Sequence, residues 1–362
     1  MNKEVISDKQ GIALMSIFII GTSVIEVSGL EAGKDVWLAI VMAILMALPI
    51  TLIYARLHNI FEGKNLFDIL EICFGKFIGK GIGILYFWFF LHIGALILRS
   101  VGQFINTAIL NDTPLAVILA TCAIICIWIV KEGIEAMGRM SSFFILILIG
   151  FISIFILFVI PKMDIRNIRP VLNDGIEPVL KGAISAFTFP FAETIPIIVA
   201  FPIFRRKESS YGILTKGLLI GGVILLLTSL SNILVLGVDT TNNVFFGTYS
   251  MATRIDIGDI IQRIEAVVAT VFVIGGCIKL SIVLLAMCKG IAKIISFDDY
   301  RLIVTPSGLI MLNLSYFIHA NIMEFYEFSA ETWKPYVFPF EVILPIVIWI
   351  AAEIKKGYGD VV

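Results

Sequence analysis

Apolar residues recur along this chain in ten long runs that are separated by shorter polar segments. The runs cover about residues 10–30, 35–57, 82–106, 114–130, 141–161, 181–204, 213–238, 264–288, 303–323 and 337–354. A helix of about 20 apolar residues crosses the hydrocarbon core of a bilayer. We therefore interpret the runs as membrane spans one to ten. The sequence predicts an all-α integral membrane protein with a single membrane domain over residues 1–362.

Composition supports this class and excludes others. The chain is 59% hydrophobic with a mean hydropathy of +1.00, whereas soluble domains are about 45–50% apolar. Its five cysteines form no CxxC pair, so they are interpreted as small buried residues. There is no nucleophile–base pair, metal-ligand spacing or phosphate loop. We expect no enzyme, cofactor or metal site, and the net charge of -1 gives no reason to expect nucleic acid.

Lys and Arg residues are distributed unequally between the two sides of the predicted membrane. Of the 27, 17 fall on the side of both termini and 8 on the other, while Arg99 and Lys279 lie inside spans. Positive residues concentrate on the cytoplasmic side, so both termini are predicted to be cytoplasmic. Residues Asn65–Lys80 carry apolar side chains at helical spacing and predict a short interfacial helix on that side. Residues 162–180 form an external loop, which is either a docking surface or a tether.

Span six is interrupted by Pro190, Pro196 and Pro202 and contains the carboxylate of Glu193. Proline removes a backbone donor and clashes with the preceding turn, so a break is predicted near Thr188–Phe191. Broken spans occur where the exposed backbone is buried in protein or lines a cavity. In membrane carriers such breaks mark the ligand site near the midplane. The break in span six therefore predicts a binding site.

The two halves of the chain have similar lengths and an odd number of spans each. Residues 10–161 hold spans one to five and residues 181–356 hold spans six to ten, so the second half is predicted to be inverted relative to the first. Gly21–Ser23 falls midway along span one, as the proline break does in span six. The fold prediction is a five-plus-five inverted repeat with broken first and sixth spans. The alternative for Gly21 is that small residues merely permit close helix packing.

A series of short motifs, in order along nearly the whole chain, resembles one known family. They are the Gly21 break, Ala32–Trp37, Phe74-Gly75-Lys76, Arg99, Lys131–Glu135 with Arg139, Phe189–Glu193, and Arg263-Ile264-Glu265. Together they resemble the B subunits of spore germination receptors, the endospore germination permeases. That family belongs to the amino acid–polyamine–cation transporter superfamily. Glu26 departs from the pattern, because an apolar residue or proline is expected in the outer half of span one.

The resemblance implies a function and partners. It implies nutrient sensing in the spore inner membrane, with a membrane A subunit, a lipoprotein C subunit and surrounding membrane lipids as partners. The small-molecule germinant is expected to be an amino acid. The alternatives are an amino acid transporter coupled to protons or cations, and a ligand-gated subunit that conducts ions or water.

A zwitterionic amino acid needs partners for its carboxylate and for its ammonium group. Backbone and hydroxyl groups of Gly21–Ser23 are candidates for the carboxylate, and carbonyls of Phe187–Phe189 are candidates for the ammonium. Glu193 could bind the amine, cap the free N–H groups within Pro190–Ala192 or bind a proton. The candidate binding residues are Gly21, Thr22, Ser23, Val24, His92, Phe187, Thr188, Phe189, Pro190, Phe191, Glu193 and Gly276. For His92, Phe189 and Phe191, plain packing is the alternative interpretation.

Lys279 lies ten residues before Lys289 in span eight, or roughly 15 Å along a helix, which places it near the midplane. In sodium-coupled members of the superfamily a structural cation sits between spans one and eight. The resemblance therefore implies that the Lys279 ammonium replaces this ion near Gly21–Ser23. The alternative is a structural salt bridge to Glu193 or Glu26.

Overall fold

The computed structural model describes residues 5–200, 209–254 and 264–357, and the regular elements within these ranges are helical. The chain begins with a short helix and continues through long helices that match the predicted runs. The α-helices are α1 (Asp8–Ile20), α2 (Val36–Ile60), α3 (Leu66–Phe104), α4 (Leu115–Glu132), α5 (Ile134–Val159), α6 (Glu177–Ala186), α7 (Pro196–Ala200), α8 (Ser209–Asn242), α9 (Gly247–Ala252), α10 (Ile264–Ile294), α11 (Arg301–Phe317), α12 (Ile322–Glu327), α13 (Trp333–Phe338) and α14 (Leu344–Gly357).

Within the described ranges, eight helical stretches are long and apolar enough to cross a membrane. The two remaining predicted runs contain α1, with 13 residues, and α11, with 17 residues. Span ten begins earlier than expected, because α12, α13 and α14 join through two π-helical turns into one stretch from Ile322 to Gly357. The all-α membrane architecture is confirmed. The inverted relation between the two halves stays a prediction.

Span one loses its helical form after Ile20. The N–H of Gly21 donates to the Ile17 carbonyl at 2.7 Å, and the N–H of Val24 donates to the Ile20 carbonyl at 2.9 Å. The chain then runs through irregular turns to Gly29, which has a left-handed φ of 73°, and a 3₁₀ turn over Leu30–Asp35 leads into α2. The predicted break in span one is confirmed, and the outer half of this span is not helical.

Span six is broken where its prolines predict. The α6 helix passes into a π-helical turn over Phe187–Phe191, and Phe189 inside it is extended, with φ −144° and ψ 115°. Helix α7 starts at Pro196. The predicted run continues to residue 204, but Pro202 and its neighbours lie outside the described residues. The break near Thr188–Phe191 is therefore confirmed.

The predicted interfacial helix is shorter than expected. Asn65 caps α3, and Gly75, with a left-handed φ of 77°, redirects the chain ten residues later. Phe67 packs directly onto Gly290 of α10, but Phe77 and Ile78 are 93% and 63% exposed. These two residues belong to the start of the spanning part of α3, because the turn at Gly75 ends the first segment. The prediction that the interfacial helix runs to Lys80 was wrong.

The loop between the two predicted halves is attached to the helices beneath it. The backbone N–H of Asp164 and the side-chain amide of Asn167 both donate to the Leu234 carbonyl at 2.9 Å. The N–H of Leu172 donates to the carboxylate of Asp35 at 3.0–3.1 Å. The loop is thereby held against α8 and against the start of α2.

Helix α10 is the central element of the core and packs against α1, α3, α4 and α7. Helix α6 approaches the turn before α2 through two glycines. A Cβ on Gly182 would lie 2.6 Å from the Gly29 carbonyl oxygen and 2.9 Å from the Ala32 nitrogen. Such distances are too short for a side chain, so this contact requires glycine and fixes the first half of span six against span one.

We expect Gly182→Ala to lower the melting temperature of the purified protein in detergent, because the new methyl group meets backbone atoms that cannot rotate away. Overpacking of this kind costs roughly 1–3 kcal/mol. Gly150→Ala in α5 is the matched control, since a Cβ there meets nothing within 4 Å. Equal melting temperatures for the two variants would contradict the contact.

Candidate functional site

The break of span one lies against α10 at a contact between two glycines. A Cβ on Gly21 would lie 3.1 Å from the Cβ of Lys279 and 3.2 Å from the Gly275 carbonyl oxygen. Gly276, the next residue, allows α3 to approach, because its Cβ would lie 2.5 Å from Val101. The glycines therefore let α1, α3 and α10 meet closely and place Lys279 beside the break.

The Lys279 side chain joins the two broken spans. It is completely buried, and its Nζ lies 2.5 Å from Oε2 of Glu193, which is also buried. The same Nζ lies 3.4 Å from Oγ1 of Thr22 in span one. It sits over the rings of Phe189 and Phe18, at 4.5 and 5.2 Å from their centroids, which adds cation–π attraction. The structure thus brings Thr22, Phe189, Glu193 and Lys279 together.

The capping role considered for Glu193 is wrong. The N–H of Ala192, one of the groups that Glu193 could have capped, donates to the Phe187 carbonyl at 2.7 Å. The carboxylate is instead engaged with Lys279. The Thr188 hydroxyl is also used within span six, because it donates to the carbonyls of Ile184 and Ser185 at 3.1 Å.

Two of the backbone donors predicted to bind a carboxylate are already used within span one. The N–H groups of Gly21 and Ser23 donate to the carbonyls of Ile17 and Ile20 at 2.7 and 2.9 Å. For these two groups the prediction was wrong, because the turn after Ile20 uses their N–H groups internally. The Thr22 hydroxyl remains within reach of Lys279.

A cavity of about 630 Å³ opens above the ion pair, on the side predicted to be external. Its walls come from the irregular half of span one, from α3, from the break in span six, from the end of α8 and from the start of the long tenth span. Of the predicted residues, Thr22, Phe189 and Glu193 line it. Further lining residues include Glu26, Glu31, Ile93, Leu96, Ile97, Ser100, Ser185, Asn243, Phe245, Phe325, Tyr326, Ser329 and Trp333.

The other predicted residues are not among those that line the cavity. Phe191 is buried and lies near Gly222 of α8, and His92 belongs to an aromatic cluster, with its ring 4.9 Å from Tyr336 and 5.7 Å from Phe328. The full set away from the cavity wall is Gly21, Ser23, Val24, His92, Phe187, Thr188, Pro190, Phe191 and Gly276. Their roles in binding stay predictions.

The cavity wall carries three carboxylates. Glu193 pairs with Lys279, and Glu31 pairs with Lys334 at 2.7 Å. Glu26, noted in the sequence as a departure from the family pattern and as an alternative partner for Lys279, accepts from the Tyr326 hydroxyl at 3.4 Å. A charged residue within an apolar run is a signal of function, and this signal points to Glu26. Tyr326 carries no comparable signal, since tyrosines are common in such segments.

Sequence analysis missed Glu341, a second fully buried carboxylate, in the π-helical turn Pro339–Ile343. The hydroxyls of Tyr86 and Tyr54 donate to the carbonyls of Phe340 and Glu341 at 3.0 and 3.4 Å. Neither carboxyl oxygen of Glu341 has a hydrogen-bond partner within the described residues. A carboxylate inside span ten is the same signal as Glu193 and was available in the sequence.

A set of membrane helices in which two broken spans border one cavity defines a transporter-type fold. The fold is similar to the solved structure of MHP1, a nucleobase–cation symport-1 family transporter in a closed conformation with bromovinylhydantoin bound. The TM-score is 0.66 at 12% identity, covering 92% of this chain and 77% of that one. A manganese transporter of Eremococcus coleocola gives a TM-score of 0.55 at 10% identity, covering 96% and 84%. These likenesses show the fold alone.

Residues 5–323 match the model of the family described as spore germination proteins, and the chain belongs to this family. It is 27% identical to spore germination protein KB of Bacillus subtilis (strain 168) over 360 residues, covering 98% of this chain and 96% of that protein. It is 21% identical to spore germination protein XB of Bacillus anthracis, covering 90% and 92%. The resemblance to germination permeases is confirmed.

We expect Lys279→Met to destabilise the protein by about 3–5 kcal/mol, because it leaves Glu193 as an unpaired charge in the core. The double variant Lys279→Met/Glu193→Leu should regain most of the loss, since a buried pair replaced by apolar side chains is often neutral in stability. Thermal unfolding in detergent measures both.

The matched control is Lys293→Met, whose partner Asp68 lies 2.6 Å away in a partly exposed pair that is worth about 1 kcal/mol or less. A double variant as unstable as Lys279→Met alone would show that the ion pair is not the cause.

Glu341→Gln is expected to fold and to melt within a few degrees of the wild type. An isolated charge at this position would cost several kcal/mol, so an uncharged amide of the same shape fits the environment. Glu193→Gln, measured beside it, should melt well below both, because it removes the charged partner of Lys279. An equal loss in the two variants would indicate a charged partner for Glu341.

Proposed function

We propose that this chain is the germinant-binding subunit of a spore nutrient germination receptor. The observation that carries the proposal is the cavity between the two broken spans, with the Lys279–Glu193 pair at its floor. The proposal places the chain in the spore inner membrane with both termini cytoplasmic. It acts there with a membrane A subunit and a lipoprotein C subunit.

The germinant in this proposal is an amino acid that enters the cavity from outside. Thr22 belongs to span one, and Phe189 and Glu193 belong to span six, so one ligand can contact both breaks. A ligand that contacts both breaks better in one arrangement shifts the population toward that arrangement. The shift in the positions of spans one and six is the signal that the partner subunits receive.

Lys279 acts in this proposal as a fixed cation. Its ammonium group contacts Thr22 and Glu193 and sits over two aromatic rings, so it supplies a positive charge between spans one and eight. Ligand binding is then independent of sodium. The names of the relatives, which describe germination proteins, support the receptor role.

A transporter for amino acids is the second candidate, and the fold shared with solved transporters favours it. Counterflow of labelled amino acids into liposomes that contain this chain alone, with and without sodium, separates the two functions. Accumulation of label would favour the transporter. Binding without accumulation would favour the receptor.

We expect Ser100→Phe to abolish the germination response of spores that carry it as their sole copy of this chain. Ser100 lies on α3 and lines the cavity, so a phenyl ring there occupies the space of the ligand. Germination is followed by the loss of optical density after addition of single amino acids. Thermal stabilisation of the purified variant by the same amino acids should also be lost.

Ser153→Phe on α5 is the matched control, since Ser153 is exposed and lies outside the cavity wall, and the same substitution adds the same bulk there. Its germination response should equal that of the wild type. A normal response from Ser100→Phe spores would show that the germinant does not bind in this cavity.

A further inference from the structure

The charged side chains that line the cavity are all acidic, and two of the three are neutralised by the protein. Glu193 has Lys279, and Glu31 has Lys334. Glu26 lies on the irregular half of span one, and no basic side chain within the described residues forms an ion pair with it. The protein therefore leaves one carboxylate of the cavity without a direct ion-pair partner.

The contact between Glu26 and Tyr326 does not replace the missing ion-pair partner. The Tyr326 oxygen lies 2.8 Å from the Phe245 carbonyl oxygen and 3.4 Å from Oε1 of Glu26. A phenolic hydroxyl has one proton to donate, and 2.7–2.8 Å is the usual O–H···O distance. The hydroxyl proton of Tyr326 is therefore better placed to bond with the Phe245 carbonyl oxygen, and Tyr326 is only a weak donor to Glu26.

Because Glu26 has no ion-pair partner, its surroundings set a chemical requirement on any ligand that fills the cavity. The α3 side of the cavity is mostly apolar, formed by Ile93, Leu96 and Ile97 together with Ser100, and Phe325 and Trp333 also line the cavity. A ligand that fills the cavity displaces water from the carboxylate and loses affinity unless it replaces those hydrogen bonds. An ammonium group supplies both the donors and the opposite charge.

We infer that Glu26 is the ammonium subsite of this cavity and restricts its ligands to compounds that carry a primary amine. The apolar wall on α3 then receives the hydrocarbon part of the ligand. This inference rests on the proposed function, because it takes the cavity to be the germinant site. It adds a residue and a chemical requirement that the proposal does not contain.

The first test uses the full-length wild-type protein and two series of compounds that differ in one charged group. The probes are L-valine, isobutylamine and 3-methylbutanoate, then L-leucine, 3-methylbutylamine and 4-methylpentanoate, with D-glucose as an uncharged compound. Calorimetry and thermal stabilisation report binding. In each series we expect binding by a compound that carries a primary amine, either the amino acid or the amine. The carboxylates and glucose should bind at least about tenfold more weakly than that compound, as loss of a charge-assisted hydrogen bond implies.

The second test compares Glu26→Gln with Glu327→Gln, which removes an exposed acid that follows Tyr326 in α12 and lies outside the cavity wall. Glu26→Gln should weaken the binding of the amine-containing probe by about tenfold or more, whereas Glu327→Gln should not change it. Glu26→Asp keeps the charge and should retain the preference for amines. If Glu26→Gln does not fold, the wild-type series still decides the question.

The outcomes separate this inference from the proposed function. Binding of a carboxylate or of glucose as strong as that of the amines, or unchanged binding by Glu26→Gln, would overturn the ammonium subsite while the cavity remained the ligand site. Binding by wild type that persists in Ser100→Phe would instead overturn the cavity as the site. Selective binding of amines that is lost in both Glu26→Gln and Ser100→Phe would support both.

Discussion

The buried ion pair between Lys279 and Glu193 is the interaction on which the rest of the site depends. Removing two charges from water costs several kcal/mol for each, so the pair persists only where the geometry compensates for that cost. The compensation comes from a 2.5 Å contact, from the Thr22 hydroxyl and from two aromatic rings. Because these groups belong to spans one, six and eight, the pair holds three separate spans at one point.

Glycines make this arrangement sterically possible. Gly21 and Gly275 let span one approach α10 until the Lys279 side chain lies beside the break. Gly29 and Gly182 bring the first half of span six against the turn that follows span one. The breaks therefore lie next to each other because small residues allow the backbones to touch. The cavity forms on the predicted external side, where the second half of span one is irregular.

The cavity combines a fold shared with transporters and lining side chains that belong to this chain of the germination family. The fold provides two broken spans that border the cavity, and the lining provides the chemistry that a ligand encounters. Part of that lining comes from irregular segments between the helices, including Glu26, Asn243 and Phe245.

The sequence by itself determined the membrane class, the long helices, the two breaks and the place of Lys279 inside span eight, because hydrophobic length and proline act locally along the chain. It could not determine the partner of Lys279, since Glu26 and Glu193 were equally available. It also did not show that the N–H groups of Ser23 and Val24 are used internally, or that Phe191 and His92 are not among the residues that line the cavity. Those features depend on helix rotation and on contacts between distant segments. Only the tertiary structure decides them.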